Sequence, residues 1–107
     1  MRNQVTSQTG AGSSSPLIMN THGLPMVSLQ VVVTGTVNYT VQQTLDNLWD
    51  TAITPTWFDH PDTNLVAATA SKQGNYAYVP FGVRVTVNSG SGTARLTATQ
   101  AGIGPLA

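Results

Sequence analysis

Apolar and polar residues alternate with a period of two through residues 27–45, and this alternation limits the possible folds more than any other feature. Odd-numbered positions of the run are mostly Val, Leu or Tyr, whereas even-numbered positions are mostly Thr, Ser, Asn or Gln. Successive side chains of a β-strand point to opposite faces, so the pattern predicts strands with one face in a core and the other toward solvent. A helix does not produce this period.

Gly35 lies near the middle of the run, which is much longer than a typical strand of about 5–6 residues. We therefore expect an interruption at Gly35, as a bulge, a bend or a tight hairpin. The odd-numbered positions remain the apolar ones on both sides of Gly35. A bent strand that passes from one sheet to another is therefore favoured.

Two shorter alternating runs follow, at 83–87 and 93–100. Their predicted inward positions hold only Val, Ala and Leu: Val83, Val85, Val87, Ala94, Leu96 and Ala98. The glycine-rich stretch 88–92 between the runs predicts a hairpin loop. Arg84 and Arg95 fall on outward positions of the two strands, so we expect them near one another on one face.

Residues 46–61 break the alternation and include Trp49 and Trp57. Residues 54–58 are predicted as a short edge strand, because Pro55 cannot donate a hydrogen bond to a neighbouring strand. Pro61 and Asp62 favour one or two helical turns over 61–68. The Gln-Gly-Asn sequence at 73–75 predicts a turn.

Residues 1–25 differ in composition from the rest of the chain, with Gly and Ser concentrated at 10–15, as is typical of flexible linkers. We interpret 1–25 as a flexible, extended N-terminal arm, 26–102 as one β-sandwich domain and 103–107 as a fraying tail. The arm is either a disordered tail or a docking segment. A docking arm is expected to contact a neighbouring subunit through Leu17, Ile18 and Met19.

The chain carries 4 basic and 4 acidic side chains in 107 residues, so its net charge is zero and only 7% of its residues are charged. In soluble domains, charged residues average about 25% of the sequence. Without a basic surface, we expect no binding to nucleic acid or to an anionic membrane. A surface of Thr, Ser, Asn and Gln carries little repulsion between copies and favours association.

The chain has no cysteine, which excludes disulfides, thiolate nucleophiles and Cys-based zinc sites. No stretch approaches the ~18 consecutive apolar residues of a membrane span. Polar residues follow Met1 and Arg2 where a secretory leader would be apolar. We therefore expect synthesis in the cytoplasm and no membrane partner.

Asp59 and His60 are adjacent, and such a pair occurs in catalytic triads and metal sites. The sequence lacks the Gly-x-Ser-x-Gly motif that carries the nucleophile of many serine hydrolases. The four Asp residues do not have the spacing of a calcium-binding loop. We interpret 57–61 instead as a structural corner, with its aromatic residues buried and Asp59 accepting backbone hydrogen bonds. We predict no catalytic residues, no metal and no cofactor, and a small hydrolase is the least favoured function.

Five aromatic residues would suit a stacking platform for a ligand: Tyr39, Trp49, Trp57, Tyr76 and Tyr78. Stacking of nucleic-acid bases requires a positive groove, and Lys72, Arg84 and Arg95 alone do not supply one. A carbohydrate-binding attachment module needs only aromatic and polar groups, so this function stays open. The competing interpretation buries these aromatic residues in the core or in a subunit interface.

Residues 27–102 resemble the small β-sandwich structural proteins of tailed-bacteriophage virions. The resemblance rests on the runs 31–41 (VVVTGTVNYTV), 56–58 (TWF), 68–71 (ATAS), 74–76 (GNY), 83–87 (VRVTV), 89–92 (SGSG) and 100–102 (QAG). It implies a non-enzymatic head decoration or cement protein located in the virion. Such a protein forms a dimer or trimer and stabilises the shell by binding the major capsid protein or another virion protein.

The sequence therefore predicts an all-β, antiparallel β-sandwich of jelly-roll type with at most one short helix. A head-to-tail or tail component of the virion is the alternative within the same class. The residues expected at interfaces are Leu17, Ile18 and Met19 in the arm, followed by Trp49, Arg84 and Arg95.

Overall fold

The computed structural model describes residues 2–19, 27–76 and 78–100, which form strands and one single-turn 3-10 helix at Thr63–Leu65. The strands are β1 (Arg2–Thr9), β2 (Gly12–Ser13), β3 (Leu17–Ile18), β4 (Val27–Thr34), β5 (Val37–Thr44), β6 (Phe58–Asp59), β7 (Lys72–Tyr76), β8 (Gly82–Gly90) and β9 (Thr93–Gln100). Within these ranges no helix is long and apolar enough to cross a membrane. The predicted all-β class, with one short helix, is confirmed.

The strands form two antiparallel sheets packed face to face. Sheet A has the order β1-β9-β4-β7. In sheet B, β8 lies between β5 and the two short strands β2 and β3, and β6 lies at the far edge beside β5. Because β2 and β3 both pair with β8, they act as two halves of one interrupted edge strand. Counted in this way, eight strands have the order of a jelly roll, as predicted.

The core lies between the sheets and is built from the inward positions of the alternating runs. Val31, Val41, Val83, Val85 and Leu96 are each 1% exposed or less. Full burial of such a side chain contributes about 1.5–3 kcal/mol. The alternation thus predicted the core-facing residues of four long strands correctly.

Gly35 marks the predicted bend between the sheets. β4 ends at Thr34 in sheet A, and β5 begins at Val37 in sheet B. Gly35 has a φ of +81°, which favours glycine, and a Cβ there would lie 3.1 Å from the Cα of Gly92. The strand therefore changes sheet at a residue that tolerates both the conformation and the close contact.

The connection at 91–92 also passes between the sheets. β8 continues to Gly90, which pairs with Val37 of sheet B, whereas β9 pairs with β1 and β4 of sheet A. The Gly92 N–H donates to the Thr36 carbonyl over 3.0 Å, so the two inter-sheet connections support each other. The predicted hairpin at 88–92 is therefore wrong.

The described part of segment 1–25 is built into the sandwich, which corrects the prediction of a flexible arm. β1 pairs with β9 along its whole length, from Arg2 opposite Gln100 to Thr9 opposite Thr93. β2 and β3 pair with β8. Leu17 and Met19 are buried in the core of the same chain, so they do not need a neighbouring subunit. Residues 1 and 20–25 of the segment, and the predicted tail at 103–107, lie outside the described residues.

Two other local predictions differ from the structure. The predicted turn at 73–75 lies within β7, where Gly74 pairs with Leu29 of β4. The predicted strand at 54–58 is limited to β6, Phe58–Asp59. The helical turn predicted within 61–68 is present as the 3-10 helix, and the Asp62 side chain accepts a hydrogen bond from the Asn64 N–H at its N-terminus.

Candidate functional site

Five large apolar side chains are exposed on β6, on the loop 45–57 that precedes it and at Tyr78: Leu45, Trp49, Ile53, Phe58 and Tyr78. We call this set the apolar cluster, and three of its members, Leu45, Phe58 and Tyr78, line one groove. Leu45 is 70%, Trp49 73% and Phe58 63% exposed. Single exposed apolar residues are common, but a group of large ones in one region is typical of interaction sites.

The loop 45–57 that carries three of these residues is held by local hydrogen bonds from backbone N–H groups to side chains. The Thr56 N–H donates to Asp46 over 2.6 Å, which joins the two ends of the loop. The Trp49 N–H donates to Asn47, and the Ala52 N–H donates to Asp50, each over 2.9 Å. These short-range bonds fix turns in a segment that has no strand neighbour.

Leu48 anchors the loop from the inside. Its side chain lies over Gly82, where an added Cβ would overlap the Leu48 Cδ1 atom. Gly82 is the first residue of β8, so Leu48 contacts sheet B while its neighbour Trp49 is left in solvent. The loop therefore presents Trp49 outward in a defined position.

A groove of about 350 Å³ opens between Leu45, Phe58 and Tyr78. Its wall also includes polar and proline residues: Gln43, Thr44, Asp46, Thr56, Asp59 and Pro61. Phe58 pairs with Gln43, whose side chain is buried, so Phe58 points toward the core side of sheet B. At this edge, no described residue covers the ring.

A buried polar network lies behind the groove. The Tyr76 hydroxyl donates to the side-chain Oε1 of Gln43 over 2.7 Å, and the side-chain Nε2 of Gln43 donates to the backbone carbonyl of Asp59 over 3.2 Å. The His60 ring packs on Tyr76 with 4.5 Å between ring centroids. Burial raises the pKa of the Tyr76 hydroxyl, with a further contribution from Tyr78, so Tyr76 stays protonated and keeps its hydrogen bond.

His60 is the predicted corner residue and is buried by its own chain. Its Nδ1 accepts a hydrogen bond from the Asp62 N–H, and its Nε2 donates to the Asn75 carbonyl, each over 2.9 Å. The Asp59 carboxylate instead accepts from the Gln42 amide. The sequence neighbours Asp59 and His60 therefore do not bond to each other, and no backbone N–H of the described residues donates to the Asp59 carboxylate as predicted.

The aromatic residues of this corner are less buried than predicted. Trp57 is half-buried, and the Arg84 guanidinium lies 4.3 Å from its ring centroid in a cation–π contact. The Arg84 Nε also donates to Gln42 over 2.9 Å. Arg84 is thus fixed on the outer face of sheet B.

Arg95 is exposed on the outer face of sheet A, so it lies on the opposite side of the sandwich from Arg84. The prediction that the two arginines are neighbours is wrong, because it depended on a hairpin that does not form. Among the predicted interface residues, Trp49 is strongly exposed, Ile18 is half-buried, and Leu17 and Met19 belong to the core.

The proposed five-residue aromatic platform is not assembled. Tyr39 and Tyr76 are buried, and the Tyr39 hydroxyl donates to the Ala70 carbonyl over 2.7 Å. Burial raises the pKa of Tyr39 to about 12. Trp49 and Tyr78 remain available to a ligand, together with Phe58.

Leu45, Ile53 and Phe58 were missed as candidate site residues. Leu45 continues the inward phase of the alternation, but β5 ends at Thr44 and leaves it in solvent. The signal that pointed to this region was the concentration of large apolar residues in an irregular segment, since loops on a rigid scaffold often carry binding residues. In the described ranges, no group of three His or Asp residues is arranged to hold a metal ion.

Comparisons of the chain with protein-family models, with curated proteins and with solved structures give no match.

Proposed function

We propose that the chain is a structural protein of a tailed-bacteriophage virion, a head decoration or cement protein that self-associates and binds the shell through the apolar cluster. The observation that carries the proposal is the exposure of five large apolar side chains, three of them around one groove, on a jelly roll with few charges. The sequence resemblance supplies the class of particle. The proposed partners of the chain are the major capsid protein, or another virion protein, and further copies of the chain.

The cluster has enough apolar surface to contribute substantially to binding. A Trp or Phe side chain buries about 150–250 Å² when fully covered. At ~25 cal/mol per Å², covering the exposed parts of Trp49 and Phe58 would contribute about 6 kcal/mol before the costs of association. A free-energy contribution of this magnitude is expected of the central residues of an interface.

The outer faces of the two sheets suit repeated contacts in an assembly. On sheet B, side chains bond across the strands, as in the 2.9 Å contact from the Asn88 amide to Asn38 and the 3.1 Å contact from the Thr86 hydroxyl to Gln42. Such a face is polar without being charged. It permits close packing of identical copies around a shell.

The test is co-sedimentation of the purified protein with bare capsid shells. The full chain is expected to pellet with the shells at micromolar concentration. Trp49→Ser and Phe58→Ser should each weaken binding by about tenfold or more, because they remove surface from the centre of the contact. Val32→Ser, on the outer face of sheet A, is the matched control and should bind as the unsubstituted chain does.

Failure of the full chain to pellet with head shells would overturn the decoration proposal. Binding to tails or to neck complexes in the same assay would assign the chain to the head-to-tail or tail region instead. Equal binding by the cluster variants and the control would show that another surface makes the contact.

The groove favours a carbohydrate-binding attachment module as a second candidate. Phe58 and Tyr78 line it together with polar residues such as Asp46 and Thr56, and sugars bind to aromatic rings flanked by hydrogen-bonding groups. A glycan array tests this function. A bound glycan whose affinity falls in Tyr78→Ala would support it, and an array without binders would remove it.

A further inference from the structure

Each of the two sheets has two edge strands, and three of these four edges are protected against pairing with another strand. β6 is two residues long, and β7 is five residues long and begins at Lys72. β2 and β3 are two residues each and are separated by a segment that contains Pro16. Short strands, lysine and proline are common means of preventing edge-to-edge association.

β1 is the exception. It is an eight-residue edge strand, it contains no proline or lysine, and it pairs with β9 without a register shift. Every second residue of an antiparallel strand directs its N–H and C=O groups away from its neighbour. Within the described residues no other strand pairs with β1, so these groups form a regular row along the edge.

β1 is also held firmly enough to act as a template. The Gln4 amide donates to the Ile18 carbonyl of β3 over 2.9 Å, and the Gln8 amide donates to the Gly10 carbonyl over 3.2 Å. The Gln4 contact joins the edge of sheet A to the edge of sheet B, whereas the Gln8 amide bonds to the C-terminal end of β1, including the Thr9 carbonyl over 3.3 Å. Neither side chain bonds to the backbone groups of residues 3–8.

We propose that two copies of the chain pair their β1 strands antiparallel about a two-fold axis at Val5. Val5 is 54% exposed, near the middle of β1, and it lies on the outer face of sheet A opposite Thr97. In this register Val5 faces Val5 of the second copy, Gln4 faces Thr6, and Asn3 faces Ser7. The two apolar side chains then cover each other at the centre of the contact.

The strand suits a second copy of itself more than an unrelated partner, because the pairing is self-complementary. Between residues 3 and 9 no side chain is charged, and the two Arg2 residues lie at opposite ends of the paired strands. The result is one continuous eight-stranded sheet with an isologous interface. β1 and β6 are at opposite edges of the sandwich, so the dimer leaves the groove beside Phe58 open in both copies.

This inference rests on the self-association part of the proposed function, and it is tested without shells. Sedimentation equilibrium of the full chain is expected to show a dimer at ~100 µM. Val5→Lys places two like charges opposite each other and should weaken the dimer by about tenfold or more. Gln30→Lys is the control. Gln30 lies on the same outer face of sheet A, opposite the same Thr97 that pairs with Val5, but on the inner strand β4.

Cross-linking tests the register even if Val5→Lys folds poorly. The chain has no cysteine. Residues directly opposite in an antiparallel pair have Cα atoms about 4.5–5.5 Å apart, within the range of a disulfide. Under mild oxidation Val5→Cys should form a covalent dimer, whereas Gln30→Cys should form no covalent dimer.

A chain that stays monomeric at ~100 µM would overturn the inference, whether or not it binds shells. A dimer that Val5→Lys does not weaken and Val5→Cys does not cross-link would overturn it as well. If hydrogen exchange of the β1 amides slowed only on shells, the edge would belong to the shell protein instead. A β1 dimer that does not bind shells would leave the inference standing and remove the decoration function.

Discussion

His60 is the buried titratable group whose contacts specify a protonation state. Nδ1 accepts a hydrogen bond and therefore carries no proton, while Nε2 faces a carbonyl oxygen and therefore carries one. The neutral ring satisfies both contacts, whereas a second proton would break the bond from the Asp62 N–H. Burial lowers the pKa of His60 below its ordinary value of 6.5, and the Asn75 carbonyl and Asp62 partly oppose this effect.

Stability is therefore expected to fall in mild acid. Below about pH 6.5 the unfolded chain binds a proton at His60 that the folded chain resists, so the free energy of unfolding decreases as the pH falls. Thermal unfolding monitored by circular dichroism should give a lower Tm at pH 5.5 than at pH 7.5. His60→Gln should lower the Tm at both values and reduce the difference between them.

A His60→Gln variant with an unchanged pH dependence would show that another group is responsible.

At the scale of single residues, sequence reasoning identified some environments and not others. The burial of Val41 and Leu96 followed from their inward positions in the alternating runs, and the structure confirms it. The exposure of Phe58 could not be predicted, because it depends on β6 ending sheet B at that point. An apolar residue at an inward position is buried only if another strand covers it.

At the scale of elements, the strands with a continuous apolar face were predictable and the strands without one were not. β4, β5, β8 and β9 have one apolar face each, and that face is visible in the sequence. β1 and β7 have few apolar residues, and pairing with β9 and β4 determines their conformation. Tertiary pairing thus decides the structure of strands whose local sequence is typical of an arm or a turn.

β3 permits a direct test of the arm hypothesis with two adjacent residues. Leu17→Ala removes a side chain buried in the core and should lower the free energy of unfolding by about 2–4 kcal/mol, whereas the half-buried Ile18→Ala should cost roughly 1 kcal/mol. Urea unfolding at a protein concentration low enough to give monomers measures both. If Leu17 instead contacted a neighbouring subunit, Leu17→Ala would weaken association and leave monomer stability unchanged.

The path between the elements was predictable at one connection only. The bend at Gly35 followed from the unbroken phase of alternation on its two sides. The stretch 88–92 has the composition of a hairpin, yet β8 and β9 lie in different sheets. Glycine-rich sequence specifies that the chain turns there, but the strands available for pairing decide whether it turns within a sheet or between sheets.

At the scale of the whole molecule, the balance of 4 positive and 4 negative side chains bears on every contact that the protein makes. The outer faces of both sheets are mainly Thr, Ser, Asn and Gln, so long-range repulsion between copies is weak. The edge strand β1 and the apolar cluster offer backbone hydrogen bonds and apolar area. Neither contact requires an ion pair.

Association of this protein is therefore expected to be nearly independent of ionic strength. Raising NaCl from ~0.05 M to ~0.5 M shortens the Debye length from more than ten ångströms to a few, which weakens contacts between exposed charges. The Kd of the dimer and the affinity for shells should each change by less than about threefold over this range. Sodium sulfate should strengthen both contacts, because it favours the burial of apolar surface.

Val5→Lys provides the control that shows whether the measurement responds to charge. Its weakened self-association should recover partly as salt screens the two opposed lysines. A tenfold loss of affinity of the unsubstituted chain in ~0.5 M NaCl would instead place ion pairs at the centre of the contact. Arg84 and Arg95 would then be the residues to substitute, one on the outer face of each sheet.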